Sequence, residues 1–337
     1  MTEPPIPPEL WDYYPAERRP AGPPLWLSNA GGLSGSDLWR VEAPAGPLML
    51  RRWPAASPDH ARLDQIHAWL HRLGALPYVA APIAGRGGRT WLAVGGRNWE
   101  LSPWMPGTAD HGVPPTPAHL GAMFAALASV HRALATGPGP GPGLSPGLVA
   151  RGAELARLIA GEFASLAAVL NRAGTDPNVP TARRWLALAR AAAPGVVVPI
   201  VRAADRPIDL QPCLRDARPD HFLFGGDRLT GLVDFGAMGV DSIAADLARL
   251  LGEATGGDAR TRRFALEAYA EARADGRPTA AEIDALEAFE AANAVLGGVR
   301  WVRWHFAERR RFADPAAAAG GLSRTLRRLE AWVGRAE

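Results

Sequence analysis

The stretch from residue 214 to residue 236 constrains this chain more than any other, because it predicts a β-hairpin. Two short apolar runs, Phe222–Phe224 and Leu229–Val233, surround the turn sequence Gly225-Gly226-Asp227-Arg228. Turn residues between two apolar runs are typical of a hairpin. The fold must therefore bring the chain on either side of this stretch together.

Ionisable side chains stand at the open end of this hairpin. Asp216 and His221 precede the first strand, and Asp234 follows the second. Two carboxylates and an imidazole are therefore expected to converge. Such a group suits a metal-assisted transfer reaction; an ordinary surface hairpin with solvated acids is the alternative.

The spacing of these residues favours the functional interpretation. In kinase catalytic loops an Asp lies five residues before a metal-binding Asn, and the Asp of a later D-F-G holds the metal. Asp216 lies five residues before His221, and Asp234-Phe235-Gly236 follows. The stretch resembles the active-site segment of the aminoglycoside phosphotransferase-like and choline kinase-like kinases. Their pattern is H-G-D-x-H-x-x-N-x-L, a hairpin, and then I-D-[FW].

The resemblance implies roles for several residues. Asp216 falls on the catalytic Asp and Asp234 on the metal-binding Asp, whereas Leu214 replaces a His and His221 replaces the metal-binding Asn. The segment 241–248 is similar to the family's G-D-P-x-x-D-L-A, whose second Asp begins a helix and braces the catalytic loop.

The resemblance also implies an α+β, two-lobed protein kinase-like fold. It pairs a small antiparallel β lobe, which contains one main helix, with a larger, mostly helical lobe that carries the catalytic hairpin. We expect an N-terminal arm at 1–24, a nucleotide-binding lobe at 25–107 that ends in a hinge, and the helical lobe at 108–337.

The same resemblance predicts the ATP contacts. The glycine-rich segment would cover the phosphates, Arg51 would replace the usual strand lysine, and the hinge backbone would hold the adenine. Pro103 has no N–H, so the hinge donor would be Trp104 or Met105. The predicted nucleotide-binding residues are Gly31, Gly32, Ser34, Gly35, Ser36, Arg51, Leu101, Ser102 and Trp104.

Apolar residues at three- and four-residue steps predict an amphipathic helix over residues 58–74. The corresponding kinase helix carries a Glu that pairs with the strand lysine, but this helix contains no Glu. Asp64 or Gln65 could replace it. His67 and His71 lie one turn apart, and an exposed helix face is the preferred interpretation for both. Further along the chain, the Gly/Pro-rich segment 136–147 predicts a loop without regular structure, and 196–201 predicts a short strand.

Composition limits the alternatives. All 37 basic residues are arginine, which excludes a P-loop lysine or a lysine Schiff base, and the net charge of +3 gives little support to a nucleic-acid partner. A single cysteine, Cys213, excludes an internal disulfide and fits a cytoplasmic protein. No membrane span is expected, and the protein would be a monomer or a dimer.

The function predicted from these observations is ATP-dependent transfer of the γ-phosphoryl group to a hydroxyl of a small molecule. Asp216 would act as base, Arg215 or Arg218 would neutralise charge on the transferred group, and His221 with Asp234 would hold Mg²⁺, with Mn²⁺ as the alternative. A catalytically weak or inactive nucleotide-binding pseudokinase is the second hypothesis, because of the His at 221.

Other classes of protein fit less well. A serine hydrolase would need G-x-S-x-G, which residues 32–36 miss by one position. Two further alternatives are an enzyme that uses Cys213 as its nucleophile and a scaffold protein without catalytic activity.

Overall fold

The computed structural model describes residues 3–28, 35–55, 58–112, 114–137, 139–273, 278–310, 312 and 315–336. Contacts divide the chain into two compact units. The strand unit comprises Met1–Ala109 and His221–Gly236, and the helical unit comprises Asp110–Asp220 and Ala237–Glu337. The hairpin, which the sequence predicted to be part of the helical lobe, groups with the strand unit.

The strand unit is built on a five-stranded antiparallel sheet in the order β1-β2-β3-β5-β4. Its strands are β1 (Leu25–Trp26), β2 (Asp37–Val41), β3 (Leu48–Arg52), β4 (Trp91–Val94) and β5 (Arg97–Pro103). Helix α2, His60–Arg72, follows β3 and begins at Asp59, whose side chain accepts a hydrogen bond from the Arg62 backbone N–H. The predicted amphipathic helix is confirmed.

The N-terminal arm completes the core of this unit. Helix α1, Glu9–Asp12, places Leu10 in the core, and Tyr14 follows it; both side chains are fully buried. They pack against one face of the sheet, on Trp39, Val41, Leu48, Leu50, Trp99 and Leu101. Because side chains alternate between the two faces of a strand, the residues between these positions face away from the arm.

The predicted hairpin is present in the strand unit. Strands β9 (Phe222–Gly225) and β10 (Arg228–Leu232) pair antiparallel, with an irregularity between Leu229 and Gly231. Strand β6, Thr108–Ala109, extends this small sheet beside β9. Gly226 occupies the turn with φ 60°, a conformation that glycine adopts without strain.

The helical unit contains most of the helices. They are α3 (Pro117–Ala135), α4 (Pro146–Arg157), α5 (Phe163–Arg172), α6 (Val179–Ala204), α7 (Ile243–Ala254), α8 (Ala259–Arg273), α9 (Ala280–Val302) and α10 (Pro315–Ala336). A small sheet in the order β11-β8-β7 joins β7 (Gly141–Gly143), β8 (Ile208–Cys213) and β11 (Gly239–Asp241). The kinase-like α+β fold predicted from the sequence is confirmed.

Two local predictions in this unit were wrong. Residues 196–201 lie inside α6, because Ala193, Val196 and Ile200 form one buried stripe at helical spacing despite the β-branched run. Residues 141–143 form an edge strand against β8, where the missing N–H of Pro142 is tolerated.

Among the described residues, one helix is long and apolar enough to cross a membrane by length and composition, and that helix is α6. Core helices pass the same test, and the buried stripe of α6 includes Trp185 and Ala189.

Candidate active site

Asp234 lies at the end of the hairpin in the strand unit. Its backbone has φ 63°, a left-handed conformation that is uncommon for a residue other than glycine and is often found at functional sites. The Val233 N–H donates to the His221 carbonyl at 3.0 Å, which closes the base of the hairpin. His221 Nε2 then lies 3.7 Å from Asp234 Oδ2, so the two predicted metal ligands are brought together.

Arg51 of β3 contacts the same carboxylate. Its Nη2 donates to Asp234 Oδ1 at 3.3 Å, and its guanidinium lies over the Trp53 ring at 4.6 Å from the centroid. The Arg51 side chain is buried, and its Nε has no partner among the described residues. A buried cation beside a partly exposed carboxylate is a site that can bind phosphate and metal.

The counter-ion of Arg51 comes from a neighbouring strand. Glu100 of β5 is the direct cross-strand partner of Arg51 in the sheet register, and Glu100 Oε1 lies 3.8 Å from Arg51 Nη1. Neither of the residues proposed from helix α2 takes this position: Asp64 accepts a hydrogen bond from Trp91, and Gln65 accepts one from Arg62.

Helix α2 still contributes through His67, which is buried. His67 Nε2 lies 2.9 Å from Glu100 Oε2, and its Nδ1 lies 2.6 Å from Thr90 Oγ1. The Trp53 indole N–H donates to the same Glu100 oxygen at 2.8 Å. The prediction of an exposed His67 was wrong, because this residue shares the buried helix stripe with Leu63 and not the solvent face.

Burial raises the pKa of the Glu100 carboxyl. The hydrogen bond from His67, the charges of Arg51 and His67 and the Trp53 hydrogen bond together lower it by more, so the net pKa is below its usual value. A depressed carboxyl pKa contributes stability above the unfolded-state value and loses it as the pH falls. Replacing Glu100 by Gln should lower the free energy of unfolding at neutral pH by about 3 kcal/mol, since Arg51 loses its buried counter-ion and keeps the partly exposed Asp234.

Urea unfolding of both proteins checks this prediction, and the difference should shrink as the pH is lowered through about 4. Glu42→Gln is the matched control, because Glu42 forms an exposed pair with Arg40 on the same sheet. A difference that does not change with pH would contradict the assigned ionisation.

The loop of the helical unit that is predicted to be catalytic is held by Asp246, near the start of α7. This fully buried carboxylate accepts the Leu214 N–H at 2.7 Å and the Arg215 N–H at 2.6 Å. His131 Nε2 lies 3.0 Å from the same side chain, and His131 Nδ1 lies 2.7 Å from the Tyr269 hydroxyl. The brace implied by the resemblance is confirmed, and His131 has a structural role in it.

The hydrogen bonds from Asp246 hold Arg215 in an uncommon backbone conformation. Arg215 has φ 63°, a left-handed conformation like that of Asp234, and it lies immediately before Asp216. Arg215 Nε lies 3.8 Å from Asp241 Oδ2, and that buried oxygen accepts no hydrogen bond from the described residues.

Asp216 itself is about one-third exposed, and its Oδ1 accepts a hydrogen bond from Arg249 Nε at 3.0 Å. Arg218 forms two hydrogen bonds to the carboxylate of Asp220. Burial lowers the pKa of Arg218, but Asp220, Asp216 and Glu253 raise it above its usual value. Arg249 lies one helical turn after the bracing Asp246, and no sequence motif pointed to it.

The structure describes only some of the residues that the sequence predicts to contact the nucleotide. Gly31, Gly32 and Ser34 lie outside the described residues. Gly35 has φ 74°, which suits a glycine turn, and Ser36 is buried.

The hinge residues depart from the prediction in two ways. Leu101 faces the arm core and not the face that carries Arg51, because it is out of phase with Glu100 and Ser102. The Trp104 N–H donates to the Pro47 carbonyl at 3.0 Å, which removes it as an adenine donor and leaves Met105.

Cys213 does not fit the nucleophile hypothesis. Its thiol is fully buried and donates to the Asp241 carbonyl at 3.4 Å. Burial and the nearby Asp246 and Asp241 raise the pKa of the Cys213 thiol well above its usual value. A neutral, buried thiol is a poor nucleophile.

Comparison with known proteins now adds to this geometry. A family model described as the phosphotransferase enzyme family matches residues 26–286. The chain belongs to this phosphotransferase family. Its membership confirms the recognition made from residues 214–248 and supports a small-molecule phosphotransferase as the enzyme class. No curated protein matches the sequence.

Solved structures share the fold of this phosphotransferase at low sequence identity. An amicoumacin kinase in complex with AMP-PNP, Ca²⁺ and Ami superimposes with a TM-score of 0.62 at 12% identity, covering 93% of this chain and 90% of that one. A microcompartment-associated aminopropanol kinase gives 0.62 at 15% identity, covering 97% and 96%. An aminoglycoside phosphotransferase from Alicyclobacillus acidocaldarius gives 0.59 at 15%, covering 99% and 96%.

Proposed function

We propose that this protein transfers the γ-phosphoryl group of ATP to a hydroxyl of a small molecule. The observation that carries the proposal is the contact of Arg51 with Asp234 in the strand unit. It sets a guanidinium that can bind phosphate oxygens beside a carboxylate that can bind a metal ion. The family match and the nucleotide bound to the similar amicoumacin kinase support it.

The residues of the strand unit would bind the nucleotide. Arg51 would contact phosphate oxygens, and Glu100 with His67 would keep its guanidinium in place. The turn at Gly35 would approach the phosphates, and the N–H of Met105 would bind the adenine. This unit would act as the nucleotide-binding lobe, as the sequence predicts.

A divalent metal ion fits the donor set of Asp234 and His221. The partly exposed Asp234 carboxylate is a hard oxygen ligand, whereas the His221 imidazole suits transition metals better than magnesium. We therefore expect Mn²⁺ to serve at least as well as Mg²⁺. When bound, the metal would supply charge neutralisation on the phosphates.

Asp216 would act on the acceptor. The acceptor oxygen forms a bond to the γ-phosphorus as the bond to the bridging oxygen breaks, and ADP leaves with that electron pair. Asp216 would orient the hydroxyl and accept its proton, which then passes to solvent. Arg249 would position the Asp216 carboxylate, and Arg215 would neutralise charge on the transferred group.

A nucleotide-binding pseudokinase is the second candidate, and the single observation in its favour is His221 in place of an oxygen ligand. The proposed partner of the protein is a small-molecule substrate, and neither a nucleic acid nor a membrane is proposed. The protein itself is proposed to be a monomer or a dimer. The single, buried cysteine is the basis for proposing a cytoplasmic location.

Thermal denaturation with ATP or AMP-PNP tests the proposal. Saturating nucleotide should raise the melting temperature by about 3–5 °C with Mn²⁺, and by no more than that with Mg²⁺. His221→Asn should strengthen the shift with Mg²⁺, because an amide oxygen replaces the imidazole. No shift with any pairing of nucleotide and metal would rule out both candidate functions, whereas a shift without turnover of any acceptor would favour the pseudokinase.

A further inference from the structure

The surroundings of Asp216 are rich in arginine. Arg249 Nε donates to Asp216, and Arg249 Nη1 donates to Glu253 Oε1 at 2.9 Å, one turn further along α7. Arg328 of α10 forms an ion pair with the same oxygen of Glu253. One carboxylate thus serves two guanidinium groups, and the other partner of Arg249 is the proposed base.

A further cation extends this cluster along α10. Arg324 lies one turn before Arg328, is exposed and has no acidic partner among the described residues. Its charge is felt at Arg328: burial lowers the pKa of the Arg328 guanidinium, and the charges of Arg249 and Arg324 lower it further, against the opposing effect of Glu253. Arg328 therefore lies close to two other guanidinium groups and to one carboxylate, that of Glu253.

The single negative charge of Glu253 is shared by Arg249 and Arg328 and does not balance the charge of Arg324 as well. Burial raises the pKa of the Glu253 carboxyl, but Arg328, Arg249 and Arg218 lower it below its usual value, so Glu253 is fully charged at neutral pH and already saturated with cations. Asp220 is likewise held by Arg218 through two hydrogen bonds. Glu253 and Asp220 are therefore already paired with arginines, and the guanidinium of Arg324 has no carboxylate partner among the described residues.

We propose that the acceptor substrate carries an anionic group, a carboxylate or a phosphate monoester, which Arg328 and Arg249 bind with Arg324 at the rim. Guanidinium groups bind both anions through paired hydrogen bonds, and a cationic acceptor would be repelled. This inference rests on the proposed function, since it concerns the hydroxyl compound that Asp216 would orient.

Arg249 links recognition to the reaction. It now donates to Asp216 through Nε, the atom nearest the proposed base. An anionic group held by Arg249 would place the acceptor hydroxyl beside the Asp216 carboxylate that the same arginine positions. Acceptors without the anionic group should therefore lose kcat as well as affinity.

The test uses acceptors matched in skeleton and different in charge. Trios of a hydroxy acid, its amide and its amino alcohol, beginning with glycolate, glycolamide and ethanolamine and continuing through longer and aromatic skeletons, are assayed for ADP release with the full-length protein. Phosphate monoesters of glycerol and of other polyols form a separate arm, which distinguishes a phosphate from a carboxylate.

The anionic member of a productive series should exceed its amide by about 10-fold or more in kcat/KM. Arg328→Gln should reduce that preference to within about threefold. Arg324→Gln should reduce it less, and Arg328→Lys should restore part of it. Arg184→Gln is the matched control, because Arg184 forms an exposed pair with Glu330 on the same helix α10.

Preference for amines or amides, survival of the acid preference in Arg328→Gln, or turnover of neutral or cationic acceptors without turnover of any anionic one would each overturn the inference alone. A failure of the proposed function is distinguishable, since no acceptor of any charge would then be turned over. That result would overturn both.

Discussion

Replacing Asp216 by Asn is expected to lower the turnover of ATP with any acceptor by about a thousandfold, because the amide cannot accept the proton of the acceptor hydroxyl. Nucleotide affinity should not change, since the residues proposed to bind ATP belong to the strand unit. The two quantities are measured separately, by ADP release and by titration with AMP-PNP.

The Asn variant keeps the size of the side chain and its carbonyl oxygen can still accept from Arg249, so a fold defect is not expected. Asp284→Asn is a suitable control, because Asp284 forms an exposed pair with Arg206 in the same unit. Turnover within a few-fold of the native protein would exclude Asp216 as the base.

Replacing Asp246 by Ala should lower the free energy of unfolding by about 3–5 kcal/mol, the cost of leaving several buried donors without a partner. The backbone N–H groups of Leu214 and Arg215 would both be orphaned, and His131 would lose its partner. Turnover should disappear with it, since the brace is what holds Arg215 in its left-handed conformation beside Asp216. Urea unfolding and ADP release check the two effects.

Asp246→Asn separates the charge from the hydrogen bonds, because its amide oxygen can serve one of the two backbone donors. It should fall between the native protein and the Ala variant in stability. Asp209→Ala, an exposed position on β8, the strand that leads into the loop, should cost little. A stable Asp246→Ala protein that keeps its turnover would show that the loop needs no brace.

The sequence predicted the parts of the site that depend on local order. The hairpin follows from turn residues between apolar runs, and the position of Asp234 follows from the end of the second run. The role of Asp246 could be predicted because the residue lies in a segment that resembles a known pattern of the family. These features can be predicted without knowing which strands are neighbours in the sheet.

The residues that were missed depend on pairing across the sheet and between helices. Glu100 is the partner of Arg51 only because β3 and β5 are neighbours in register, which spacing along the chain does not encode. A charged residue inside the apolar run Trp99–Leu101 was nevertheless a usable indication. Likewise, His67 shares a helix stripe with Leu63 and Leu70, which predicts burial when the stripe is followed residue by residue.

The Arg51–Glu100 pair has a consequence for control of the enzyme. In protein kinases the lysine–glutamate pair joins a strand to a movable helix, so displacement of that helix switches catalysis off. Here both partners belong to adjacent strands of one sheet, and α2 contributes only the His67 contact to Glu100. Displacing α2 would remove the His67 contact but leave Arg51 and Glu100 paired across the sheet. An on–off control of the kinase type is therefore not expected at this contact, and the arginine proposed to bind phosphate would stay in place.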